Sequence, residues 1–151
     1  MNLKKEYVFE ITFGMVSTTY DLEGEISQKS INKENFQEDF KRLIPRFIGK
    51  IDQRVPPFSA VKVGGKPLYK KARAGKIEYN KLPVKRIEIY ELELLNFYIR
   101  DKFPTAKLRI VCSKGTYVRS LAHEMGQELK TGGVLVSLVR KKSGTLYIRR
   151  S

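Results

Sequence analysis

Residues 5–14 alternate strictly between two kinds of side chain. Tyr7, Phe9, Ile11 and Phe13 fall on one face, and Val8, Glu10 and Thr12 on the other. A period of two is the signature of a strand buried on one side, so this segment demands a sheet with one covered face. Gly14 ends it. The alternation returns in residues 84–99, read as one long strand or two, with Ile87, Ile89, Leu92 and Leu94 as core candidates. It returns again in residues 107–112, where Leu108, Ile110 and Cys112 share a face. Shorter elements fill the rest. Asp21-Leu-Glu-Gly24 reads as a turn before a short strand in residues 25–30, and residues 59–63 as a strand running into a Gly64-Gly65 turn. Residues 134–139 form an apolar segment, Ser143-Gly144 a turn and residues 146–148 a last strand.

Helical spacing appears in three places. Asn32 is the expected N-cap of a helix carrying Phe36, Phe40, Leu43 and Ile44, stopped near Pro45. Pro56-Pro57 forces an extended stretch, and Pro67 opens a helix that Gly75 ends. Thr116 is the expected cap of a helix with Val118, Leu121, Ala122, Met125 and Leu129 on one face, closed by Gly132-Gly133. Strands and helices mix without regular βαβ alternation. The expected class is α+β, a mixed, largely antiparallel sheet with packed helices, and 151 residues suit a single domain spanning 1–151.

Charge narrows the partners. Thirty Lys and Arg against sixteen Asp and Glu leave a formal charge of +14. Such an excess repels itself unless an anion is near, which points to a nucleic acid, with a lysine-rich background as the alternative source. The excess is uneven. Residues 62–86 hold nine basic side chains and only Glu78, and from residue 102 onward eleven basic side chains face only Glu124 and Glu128. The two basic segments could wall a cleft for phosphates, or be solvated faces; Tyr69, Tyr79 and Tyr117 lie among them, where they suit base stacking or any sheet.

Most familiar chemistries are absent. There is no phosphate-binding P-loop, no dinucleotide fingerprint, no HExxH and no credible metal-ligand spacing, so neither metal nor cofactor is expected. His123 is the only histidine and reads as an ordinary surface residue. Cys112 is the only cysteine and reads as core. No stretch approaches the roughly 18 consecutive apolar residues of a spanning helix, so no membrane partner is expected. The N-terminus, without an apolar secretory run, suggests the cytosol. What remains is Cys112-Ser-Lys-Gly-Thr-Tyr-Val-Arg119, a strand end, a turn and a helix start whose amides could receive an anion between Lys114 and Arg119.

At this segment the chain resembles the TruB family of tRNA pseudouridine synthases, and the likeness is collinear over most of its length. Lys5-Glu-Tyr7, Gly14 and Thr18-Thr-Tyr-Asp21-Leu-Glu-Gly24 resemble the family block K-x-Y…G…T-x-T-x-D-x-x-G. Phe47-Ile-Gly49, Gln53, Pro56-Pro57, Ser59-Ala60-Val61-Lys62, Gly65, Leu68-Tyr69 and Ala72-Arg73-Ala74-Gly75 resemble a second block, with Phe58 in place of the usual tyrosine. The Cys112–Arg119 motif and Leu138-Val-Arg140…Ser143-Gly144 complete the series.

The resemblance implies an isomerase that turns a T-loop uridine of tRNA into pseudouridine without metal or cofactor. By resemblance, Tyr7 stacks on the everted base and assists proton removal, Arg119 pairs with a nucleophilic aspartate, and Leu138 packs against the site. Lys66, Tyr69, Lys70, Arg73 and Arg140 are expected to meet the RNA, and by the same resemblance Lys62 and Lys114 meet the RNA backbone or support the site. Asp21 is read as structural, with an active-site contact as the minor alternative.

One departure matters. The family's nucleophile sits in a Gly-x-Leu-Asp-Pro-x-Ala-x-Gly loop upstream of the Tyr7 strand, whereas Asp21, Asp39, Asp52 and Asp101 are the only aspartates here and none precedes a proline. The expectation is the central and C-terminal part of a catalytic domain, without that loop and without the C-terminal PUA module. It is a fragment, one half of a split enzyme completed by a separate N-terminal half, or a non-catalytic basic RNA-binding module. If the first strands are missing, the partner edge and apolar face of the 5–14 strand should lie open.

Overall fold

The computed structural model describes residues 3–31, 34–57, 62–63, 66–67 and 81–141. Its frame is a five-stranded antiparallel sheet. The strands are β1 (Lys4–Phe13), β4 (Gly49–Arg54), β7 (Val84–Arg100), β8 (Phe103–Ser113) and β9 (Gly133–Lys141), in the order β4-β7-β8-β1-β9. Two small ladders accompany it, β2 (Met15–Ser17) with β3 (Ile26–Gln28), and β5 (Lys62–Val63) with β6 (Lys66–Pro67). Both helices, α1 (Phe36–Leu43) and α2 (Val118–Leu129), contribute to the core on one face of the large sheet.

The alternation of β1 is realised as expected. Phe9, Ile11 and Phe13 are wholly buried beneath the helices. The expected open edge is not there. β1 is paired on both sides, by β8 and β9, so its amides are used and its apolar face is covered. The outward end of the sheet is β9 instead, where Leu138 is 46% and Val139 53% exposed.

β7 is one strand, and it keeps its apolar side inward by breaking period two. The register slips between Ile89 and Glu91 and again between Leu94 and Asn96. Each bulge inserts one residue and reverses the parity that follows. Ile89, Leu92, Leu94 and Phe97 therefore stand opposite Cys112, Ile110, Leu108 and Ala106, all on the helix face. A slip between Glu10 and Ile11 in the β1–β9 ladder acts likewise: Leu135 stands opposite Ile11, Leu138 opposite Phe9 and Arg140 opposite Tyr7.

The other face carries charge. Arg109 bonds Glu6 at 2.6 Å and Glu91 at 2.9 Å, and Tyr98 donates to Glu10.

In α1, Phe36, Phe40 and Leu43 repeat at helical spacing and are buried, with Phe36 and Phe40 against Phe13 and Phe97. Its cap is Asn35, in the left-handed region at φ 62°, rather than the expected Asn32, which lies outside the described residues. The α-helix stops at Leu43, near Pro45 as expected, and a 3₁₀ turn, Ile44–Phe47, follows. Pro67 belongs to β6 and not to a helix; the rest of that expected helix, and the expected turn and strand after residue 142, lie outside the described residues.

The cap of α2 also differs. Tyr117, not Thr116, is the N-cap, while the Thr116 hydroxyl donates to the Ser113 carbonyl at 2.9 Å. The helix closes on Lys130 in the left-handed region before the two glycines. No helix is long and apolar enough to cross a membrane among the described residues.

Candidate active site

The site is built where α2 lies over β9. Their link is a close approach of backbones: a Cβ on Gly126 would collide with the main chain of Gly132 and Gly133. The connection from α2 into β9 is short, and α2 packs against that strand. Arg119 is in the first turn of α2.

The partner of Arg119 comes from the Thr18–Gly24 turn. Its Nη1 lies 3.7 Å from Asp21 Oδ2, an ionic contact longer than a direct hydrogen bond. The side chains are 26% and 23% exposed, so solvent screens the pair only in part. Asp21 is held hard. Its Oδ1 accepts from the Thr19 hydroxyl at 2.6 Å and from the Glu23 amide at 3.0 Å, and its carbonyl accepts from the Ser17 hydroxyl at 2.5 Å. Asp21 makes a parallel bridge to Leu135, whose amide donates to the Tyr20 carbonyl at 2.9 Å. Asp21, read above as structural, is thus also an ionic partner of Arg119 from within these residues.

Tyr20 adopts φ 70°, and its ring stacks on His123 at 3.9 Å and 8°. His123 is therefore no loose surface histidine. Burial, helped by the nearby Lys29 charge, lowers its pKa to about 4, so the ring is neutral at pH 7.

The remaining expected residues are distributed as follows. Tyr7 is half-buried, flanked by Ile110 and Arg140 across the strands, and packs at the border of the core. Opposed residues in a ladder share a face, so Tyr7, Leu138 and Arg140 lie on the side that α2 covers. Leu138, expected to pack against the site, is 46% exposed. Lys114 is exposed in the turn before α2, and Arg140 is exposed near the end of β9. Lys62 and Lys66 pair with Pro67 and Val63 across the β5–β6 ladder. Tyr69, Lys70 and Arg73 lie outside the described residues.

Two contributors carried no expected role. The Lys85 ammonium crowds Gly115 and lies 6.0 Å from the centre of the Tyr117 ring, adding a second cation to the turn that holds Lys114. Gln53, wholly buried, bonds both polar groups of the Tyr117 backbone. The only sequence signal for either was membership of a basic run or of a motif. Cys112 is buried, as expected, and burial raises its thiol pKa, which leaves it unreactive. Among the described residues no group of acidic, histidine or cysteine side chains could hold a metal.

On the far flank of α2 a shallow groove is lined by Arg46, Phe47, Glu124, Gln127 and Glu128. Burial pushes the Glu124 carboxyl up to about 7 there, against the opposing pull of the Arg54 backbone amide and charge.

Solved structures share this architecture. A chain of a Cbf5-Nop10-Gar1 complex superposes with a TM-score of 0.58 at 23% identity, covering 93% of this chain and 30% of that one. A chain of an H/ACA RNP bound to a substrate RNA containing 2'-deoxyuridine gives 0.55 at 19% identity, covering 93% and 28%. At these identities the likeness is one of fold alone, and the fold is α+β.

The family is narrower. Residues 1–118 match the TruB family pseudouridylate synthase (N terminal domain), and the chain belongs to that family. The tRNA pseudouridine synthase B of Carboxydothermus hydrogenoformans is 43% identical over 144 residues, covering 95% of this chain and 49% of the relative. That of Francisella tularensis subsp. holarctica is 42% identical over 145 residues, covering 95% and 46%. That of Symbiobacterium thermophilum is 42% identical over 147 residues, covering 97% and 48%. The chain thus spans about half the length of the curated relatives it matches.

Proposed function

We propose that the chain forms the greater part of a uridine-isomerising site that acts on the T-arm of tRNA in the cytosol. The observation that carries this reading is the Arg119–Asp21 pair at the start of α2, on the same side of the sheet as Tyr7, in a family member with a charge of +14.

The reaction cuts the N-glycosidic bond of one uridine, turns the base and joins C5 to the sugar. The base must leave its stack, at a cost of a few kcal/mol. In the proposed site Tyr7 offers a half-buried ring for the everted base, and Leu138 supplies an apolar wall. Arg119, aimed by Asp21, presents a fixed positive charge to the reacting carboxylate or to a phosphate. Lys114, Arg140, Lys62, Lys66, Tyr69, Lys70 and Arg73 hold the RNA from both basic segments, and Lys85 reinforces Lys114.

Asp21 is a poor nucleophile in this arrangement, because Oδ1 accepts two hydrogen bonds and Oδ2 faces a guanidinium. By the family resemblance the attacking carboxylate is assigned to an Asp-Pro loop, which none of the four aspartates of these 151 residues provides, supplied from the same protein or from a separate N-terminal half.

The test is pseudouridine formation on a T-arm stem–loop. The chain alone should give no product, and adding the N-terminal segment of a relative that carries the Asp-Pro loop should restore it. Turnover by the chain alone would refute the external nucleophile. A second reading, a non-catalytic RNA-binding module, is favoured by the in-chain neutralisation of Arg119. It predicts tight binding and no product in either mixture.

A further inference from the structure

Gln53 is the only polar residue among the largest fully buried side chains of the described residues, and both ends of its amide go to one place. Its Oε1 accepts from the Tyr117 amide at 2.8 Å, and its Nε2 donates to the Tyr117 carbonyl at 3.1 Å. A side chain on β4 thus imitates one rung of a β-ladder with a residue 64 positions away. Tyr117 is the N-cap of α2, and it has no side-chain cap of its own. Gln53 caps the helix from outside.

The consequence falls on Arg119, two residues further on. A helix is a rigid rod, so its phase is set by where its ends are held. The far end of α2 is held by Gly126 against Gly132 and Gly133, and the near end by Gln53. We infer that Gln53 is a positioning residue, which sets the rotation of α2 so that the Arg119 guanidinium meets Asp21 and faces the RNA. Without the Gln53 side chain, the Tyr117 amide loses its partner and the Tyr117 carbonyl keeps only the Leu121 amide at 3.2 Å, so the first turn rotates or frays to satisfy the orphaned N–H. This inference rests on the reading of Arg119 as a substrate-facing group.

The experiment uses the full chain, a T-arm stem–loop RNA, and Gln53→Met, Gln53→Glu, Arg119→Ala and the Gln53→Met/Arg119→Ala pair. Met keeps the volume and removes both hydrogen bonds; Glu keeps an acceptor and loses the donor. Gln53→Met should weaken RNA binding about tenfold, and Arg119→Ala should add less than about twofold in that background. Independent, multiplying effects would mean that Gln53 only supports the fold. In the unaltered protein the Gln53 side-chain amide protons should exchange with solvent far more slowly than those of a surface amide; equal rates overturn the inference. Where Gln53→Met does not fold, Gln53→Glu and this exchange measurement decide.

If the stem–loop ignores Arg119→Ala, the functional reading has failed and Gln53 is judged separately. The Arg119 Nε–Hε resonance should then move in Gln53→Glu while the Leu94 methyls, on β7, stay in place. An unmoved arginine signal would sink the inference.

Discussion

Asp21 shows how much one carboxylate can organise. Oδ1 closes the Thr18–Gly24 turn and Oδ2 faces Arg119, so the turn and α2 are joined through a single side chain. Asp21→Asn keeps the turn acceptor and removes the ion pair. Its urea midpoint should fall by an amount equivalent to roughly 1 kcal/mol, the upper end for ion pairs that solvent still reaches.

His123 and Glu124, adjacent on α2, pull stability in opposite directions with pH. The folded His123 pKa of about 4 lies below its unfolded value, so that group makes stability fall as pH drops from about 6.5 to about 4. The folded Glu124 pKa of about 7 lies above its unfolded value, so that group makes stability fall as pH rises from about 4.5 to about 7. Glu124→Gln removes the second slope. It should therefore be more stable than the parent above pH 7, on the order of 1–3 kcal/mol, and should lose stability on acidification more steeply. Thermal melts at a series of pH values read both effects.

Elements were legible to different degrees. The β1 stripe of Tyr7, Phe9, Ile11 and Phe13 was readable because one clean period admits one structure. The apolar set of β7 was also visible, but its mixed parity has meaning only with the two bulges, which depend on the partner strand β8. The caps were misplaced because Asn32 and Thr116 have the right chemistry for an N-cap. Tertiary contacts overrode that preference at Tyr117, whose amide Gln53 satisfies from β4.

Gly126 sits inside α2, where helix propensity alone favours alanine by about 1 kcal/mol. Gly126→Ala should nevertheless destabilise the protein by roughly 1–3 kcal/mol, because the new methyl would strike the Gly132–Gly133 backbone. Denaturant unfolding gives the sign directly. A stabilised variant would show that α2 does not dock on β9 as described.

For the protein as a whole, charge is the dominant fact. With +14 and two basic segments, binding to a T-arm stem–loop should weaken steeply between about 50 and about 200 mM salt, with a log–log slope of about −3 or steeper. Filter binding or fluorescence anisotropy across that range measures it. A flat profile would remove phosphate contact as the basis of recognition.

The sheet also shows where further chain could be accommodated. β1 is paired on both sides, and the exposed apolar residues Leu138 and Val139 sit on β9, the last strand in the order. That agrees with a chain spanning about half the length of its curated relatives.

Period, charge and ordered motifs are local properties, so residues read in a row were enough to establish a sheet-based α+β fold and the family, and to raise a polyanionic partner as an expectation. Which carboxylate meets Arg119 is a different kind of question. Asp21 and Arg119 are far apart along the chain and come together because β9 bridges to the Asp21 turn while α2 packs against β9, closed onto it at Gly126 and tied to β4 at Gln53. A contact of that kind depends on register and helix rotation at once, and neither is written in any single stretch of residues.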